Sequence, residues 1–98
     1  MAMTVAAALR QGTRQTVAYT GTAATITNAF GTETYVIRLS ATTACHFLVS
    51  EAANVVAATA TDSLLPTNWV DYIVVTPGQK ISVIQDSAAG TLSVTEMW

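Results

Sequence analysis

Few residues of this 98-residue chain have side chains suited to chemistry, and those few are dispersed. His46 is the single histidine, and in an extended segment its same-face neighbours are Ala44 and Leu48. To act as a general base it needs a nucleophile within reach and a carboxylate to orient it. No G-x-S-x-G or related nucleophile motif accompanies it, so a structural histidine is expected. The six acids (Glu33, Glu51, Asp62, Asp71, Asp86 and Glu96) fall in expected loops and strand ends and read as solvated carboxylates, not as an acid–base pair. Cys45 is the only cysteine, which leaves no intrachain disulfide and no cysteine-based zinc site. Its apolar surroundings suggest a buried, inert thiol. There is no calcium loop, phosphate loop or dinucleotide fingerprint. The expectation is a non-enzymatic protein with no catalytic, cofactor-binding or metal-ligating residues.

The aromatics suit recognition better than catalysis. Trp69 and Tyr72 lie three apart at the head of an expected strand, and Trp98 is the last residue. Exposed aromatics on a β-sandwich can stack on sugar rings, which would make the chain a carbohydrate-binding module. The simpler reading puts Trp69 and Tyr72 in a core or subunit interface, where each buries a large area and keeps a polar handle. Trp98, being terminal, is the better interface candidate.

Hydrophobic residues make up 51% of the chain and charged residues only 10%, where about 25% is usual. A surface built from Thr, Ser, Ala and Gln packs readily against other protein, so stable self-association or partner binding is expected. The net charge is −2, and the four cations, Arg10, Arg14, Arg38 and Lys80, are scattered. That argues against nucleic-acid binding. No apolar run approaches the roughly 18 residues of a membrane span, so no membrane partner is expected. Residues 1–9 have no basic stretch ahead of their apolar residues and do not read as a secretory signal, so cytosolic synthesis is expected.

Short apolar–polar alternations separated by Gly, Pro, Asn and Asp predict strands at 15–20, 22–28, 34–40, 44–50, 63–66, 70–75, 80–85 and 91–96. In 34–40, Tyr35, Ile37 and Leu39 alternate with Val36, Arg38 and Ser40. In 44–50 both faces carry apolar groups, as in a central strand covered on both sides. Residues 51–62 read as an exposed, unexpectedly apolar loop. Thr76-Pro77-Gly78-Gln79 reads as a type II turn, and residues 86–90 as a five-residue hairpin loop. Seven to eight short antiparallel strands make an all-β, single-domain sandwich of the jelly-roll or immunoglobulin-like kind. Residues 1–14 form an N-terminal arm that orders against a neighbour, and residues 15–98 form the sandwich domain.

About 60 residues, from Tyr35 onward, resemble small β-rich structural proteins of tailed-bacteriophage virions. The resemblance rests on Tyr35-Val36-Ile37-Arg38 leading into residues 41–47, the Ala/Thr stretch 57–62 before Leu64-Leu65-Pro66, Val70-Asp71-Tyr72-Ile73 entering the Pro77-Gly78 turn and residues 79–85, and the closing segment 90–97. The Pro-Gly turn flanked by alternating strands is its most specific part. The resemblance implies a capsid decoration or cement protein on the outer head of the virion, frequently a trimer, with the major capsid protein as partner. It supplies no functional residue. A tail or neck component is the alternative within the same class. Interface candidates come from exposure and position alone: Met3, Val5 and Leu9 in the arm, Val55 and Val56 in the long loop, and Trp69 and Trp98.

Overall fold

The computed structural model describes residues 10–98. The alternating segments form eight strands: β1 (Gln11–Tyr19), β2 (Ala24–Thr25), β3 (Val36–Ala41), β4 (Cys45–Glu51), β5 (Ser63–Leu65), β6 (Val70–Val74), β7 (Gln79–Gln85) and β8 (Gly90–Met97). A 3-10 turn, Ala52–Asn54, follows β4. The strands make two four-stranded antiparallel sheets, ordered β1-β8-β3-β6 and β2-β7-β4-β5. Between them lies one core containing Tyr19, Ile26, Phe30, Ile37, Leu39, Phe47, Leu65, Ile81, Val83, Leu92 and Val94.

This strand order identifies a jelly roll. The first strand lies beside the last in one sheet, the second beside the seventh in the other, and so inward to the fourth and fifth. In an immunoglobulin sandwich consecutive strands share a sheet repeatedly. Here β4 and β5 are the one consecutive pair that does. Two local expectations change as a result. Residues 86–90 do not close a hairpin, because β7 and β8 belong to opposite sheets. The true hairpin is β4–β5, whose connection is the long segment 52–62.

β1 starts at Gln11, ahead of the expected residue 15, so residues 11–14 of the expected arm belong to the sandwich. Gln11 is paired with Met97 and Arg14 with Thr95, with an irregularity in register between them. The expected β-turn at 76–79 is present: Gln79 N donates to Thr76 O at 3.2 Å, and Gly78 takes a φ of 86° at the third position. Tyr35 precedes β3 and is exposed, whereas Ile37 and Leu39 are fully buried.

At one end of the sandwich, Tyr19 ties three connections together. Its hydroxyl donates to the Thr43 carbonyl and accepts the Thr43 N–H at 3.2 Å. Thr43 Oγ1 in turn donates to the carbonyls of Ala88 and Ala89. Gly90 lies so close that a Cβ there would come within 2.6 Å of Tyr19 Oη and 2.7 Å of Thr42 Oγ1. Gly90→Ala is therefore expected to break this knot and lower stability by about 1–3 kcal/mol, the usual range for overpacking. Leu39→Ala, in the middle of the core, is expected to cost about 2–5 kcal/mol. Urea unfolding followed by tryptophan fluorescence measures both.

Candidate functional site

The side chains with chemical potential fall into three separate places. The first is the outer face of the β2-β7-β4-β5 sheet. Alternation along β4 turns Cys45 and Phe47 into the core and His46, Leu48 and Ser50 outward. Segment 52–62 lies over this outer face. Ala58 is buried there and its N–H donates to Ser82 Oγ at 2.9 Å, while Val56 N donates to Ser50 Oγ at 3.1 Å. The apolar loop thus covers part of a sheet, which accounts for the apolar residues on both faces of β4. Val55 and Val56 are nonetheless exposed on its surface.

His46 fastens the end of this loop. Its Nδ1 is 2.9 Å from the Asp62 carbonyl and its Nε2 is 2.9 Å from Asp86 Oδ1. Both partners are acceptors, so the doubly protonated imidazolium satisfies both. The His46 pKa is raised above 6.5, first by the Asp62 backbone carbonyl and then by Asp86, against a smaller opposing effect of burial. Asp62 closes its own turn, accepting Thr59 N at 2.8 Å through its carboxylate. With both ring nitrogens engaged, the histidine acts as a clasp between loop and strand.

The second place is the opposite end of the sandwich, where Glu96 faces inward along β8 in line with Leu92 and Val94. Glu96 is only 4% exposed, contrary to the expectation of six solvated carboxylates. Its Oε1 accepts the Gly31 N–H at 2.9 Å and the Thr34 hydroxyl, and Thr34 Oγ1 accepts the Trp98 indole N–H at 2.9 Å. Arg10 and Trp98 exchange backbone hydrogen bonds of 2.9 and 2.8 Å. The Trp98 ring lies against Gly12, where a Cβ would come within 2.6 Å of it. The terminal tryptophan is thus seated and oriented, yet 49% exposed. It borders a shallow depression of about 180 Å³ with Gly31, Thr32 and Glu33.

The third place is the β6 edge of the other sheet. Ile73 packs against the core, and Val70, Tyr72 and Val74 point away from it and are exposed. Trp69, just before the strand, is 59% exposed, so neither it nor Tyr72 is a core residue. Trp69 lies at the end of the sheet where Asn68 N bonds Ala41 O, and Trp98 at the end where Met97 pairs with Val36. The length of β3 separates them. Val55 and Val56 lie over the opposite sheet, so the sequence-derived candidates do not converge on one site. Met3, Val5 and Leu9 lie outside the described residues. Leu64, Val70, Tyr72 and Val74 are exposed apolar positions that the candidate set missed. The one signal that could have found the last three is the two-sided apolar pattern of 70–75, which is ambiguous between a covered strand and an exposed edge.

Among the described residues no cluster of three or more His, Cys, Asp or Glu could hold a metal, and no helix is long and apolar enough to cross a membrane. Comparison with protein-family models, curated proteins and solved structures finds no match to this chain.

Two measurements test the site chemistry. A folded-state His46 pKa above 6.5 means that its stabilisation is complete below pH 6.5 and is lost as the pH rises through the folded value. The urea midpoint should therefore fall over that interval, and Asp86→Asn should flatten the fall; a pH-independent midpoint would refute the clasp. Burial pushes the Cys45 thiol up to about 11. A thiol reagent at pH 8 should leave Cys45 unmodified in the native protein and react with it in urea, as mass spectrometry will show.

Proposed function

We propose that this chain is a non-enzymatic structural protein of a tailed-phage particle, most directly a decoration or cement protein on the outer head. The observation that carries this reading is the surface of the jelly roll. It presents Val55, Val56, Leu64, Trp69, Val70, Tyr72, Val74 and Trp98 to solvent in a chain with only 10% charged residues. Apolar surface on several sides, with few charges to oppose contact, suits a module that meets several protein neighbours at once. The resemblance of residues 35–98 to small virion proteins supports the same reading. The engagement of both His46 nitrogens in a structural clasp supports a non-catalytic role.

In this reading each copy bridges adjacent shell subunits through contacts that are individually weak. Simultaneous engagement raises their effective concentration. Residues 1–9, including Met3, Val5 and Leu9, add contacts to the shell or to a neighbouring copy. The structure narrows the truncation that tests this: residues 11–14 are part of β1, so the deletion must stop before Gln11. A chain lacking residues 2–9 is expected to keep the urea midpoint of the intact protein and to bind capsids at least tenfold more weakly. Equal binding would refute the role of the arm. The copy number of the protein in purified virions tests the whole reading. A count near that of the shell protein supports head decoration, a ring or a few rings places the protein in the neck or tail, and absence from the particle refutes a virion role.

One observation favours a second reading. The half-exposed Trp98 ring, held in place beside Glu33 and the shallow depression, has the character of a stacking platform for a sugar. A glycan screen read by tryptophan fluorescence tests it, with loss of the response in Trp98→Ala as the expected outcome and a Trp69→Ala variant as the comparison.

A further inference from the structure

Among the described residues β6 pairs only with β3, which leaves its other edge open. The ladder dictates which groups that edge presents. Val75 N donates to Tyr35 O at 2.9 Å, in register with the β3–β6 pairs that follow. In an antiparallel ladder the peptide groups alternate in direction, so those of Asp71 and Ile73 turn toward β3. Those of Val70, Tyr72 and Val74 turn to the open side. The same three residues carry the exposed side chains, and Val74 is 76% exposed. Natural edge strands are usually protected by lysine, proline, a bulge or a covering loop. In β6 the one such device is Asp71, whose carboxylate accepts the Tyr72 N–H at 2.9 Å and so occupies the central donor of the edge.

We propose that the β6 edge is an isologous interface, at which a second copy of this chain pairs antiparallel about a two-fold axis through Tyr72. A two-fold contact requires a self-complementary strand. Val70-Asp71-Tyr72-Ile73-Val74 meets this condition, because the axis sets Val70 opposite Val74 of the second copy and Tyr72 opposite Tyr72. The apolar residues then form one continuous row across both copies. Asp71 falls opposite Ile73, whereas a two-fold axis through residue 71 would place the two aspartates against each other, which is unfavourable. Charge therefore excludes that register, and the axis through Tyr72 is the one that pairs the whole of Val70–Val74 with itself. Farther from the edge the outer face of the sheet turns polar, with Arg14 Nε bonded to Ser93 Oγ, so the apolar patch is confined to the strand that pairs.

Pairing joins the β1-β8-β3-β6 sheets of the two copies into one of eight strands through a single five-residue edge, a small contact beside the roughly 1,200–2,000 Å² of standard specific interfaces. The dimer is accordingly reversible. On association Tyr72 N–H exchanges the Asp71 carboxylate for the Tyr72 carbonyl of the second copy, so Asp71 acts as a gate that weakens pairing without forbidding it. The interface needs no capsid and does not rest on the decoration reading. It assigns a dimer in place of the trimer that the resemblance implies.

The test is sedimentation equilibrium of the intact chain, from micromolar to hundreds of micromolar. The expected result is a monomer–dimer equilibrium that Val74→Lys and Tyr72→Asp each weaken at least tenfold and that Asp71→Ala tightens about tenfold. Thr16→Lys, on the far strand of the same sheet, should leave it unchanged. Circular dichroism confirms that each variant is folded. A chain that stays monomeric throughout, a trimer, a dimer indifferent to both β6 substitutions, or an Asp71→Ala variant that associates no more tightly would overturn the proposal. Because no capsid is present, these outcomes are independent of the copy number in virions.

Discussion

The fold depends on the position of its last strand. β8 lies between the first strand and the third, hydrogen-bonded on both sides, with Leu92 and Val94 fully buried beneath it. Without it β1 has no neighbour in its sheet, β3 loses one side of its ladder, and the core opens. The pairing is also remote in sequence, joining Gln11 to Met97 across nearly the whole chain. Closing such loops costs chain entropy before contacts are made, which makes jelly-roll topologies cooperative and slow to fold. The inward row of β8 continues past Val94 to Glu96, and Trp98 sits just beyond the strand. The strand that completes the core therefore also organises one end of the molecule.

The buried polar groups share a logic. Glu96, His46, Ser82 and Thr34 are each close to or below a tenth exposed, and each has hydrogen-bond partners among loop residues or backbone. No buried side-chain nitrogen or oxygen among the described residues lacks a partner. Unpaired, such groups would each cost on the order of 1–3 kcal/mol, and paired they hold a loop in one position. The connections of a jelly roll mostly cross between sheets, so they cannot be held by hairpin ladders. Here polar anchors take that role: Tyr19 and Thr43 at one end, Glu96 and Thr34 at the other, and His46 over the outer face.

That division leaves several large apolar side chains exposed on an otherwise mostly polar, weakly charged surface. With its buried polar groups occupied internally, the scaffold presents Trp69, Tyr72, Val74 and the valines of the covering loop to solvent. Their placement on different sides differs from the single concave pocket common to small-molecule sites. It suits assembly, in which one copy touches several neighbours, and the exposed β6 edge offers a direct geometric route to a second copy.

The elements of this fold were legible in the sequence because strand alternation is local. Ile81 and Val83, Leu92 and Val94, or Ile37 and Leu39 mark an inward face with no knowledge of what lies opposite. The buried thiol of Cys45 and the Thr76–Gln79 turn follow from equally local chemistry. Partnership was not legible. Residues 86–90 look like a hairpin loop because nothing within five residues reports that the flanking strands enter opposite sheets. Glu96 reads as a solvated acid until Gly31 and Thr34, more than sixty positions away, supply its donors. Val70, Tyr72 and Val74 have the same composition whether their strand is central or at an edge. Sequence by itself determined an all-β chain of seven to eight short strands with few charges, since propensity and period act between near neighbours. Only the tertiary structure decided which strands pair, which polar groups are buried and which apolar face stays open, because those depend on contacts between residues that the chain keeps far apart.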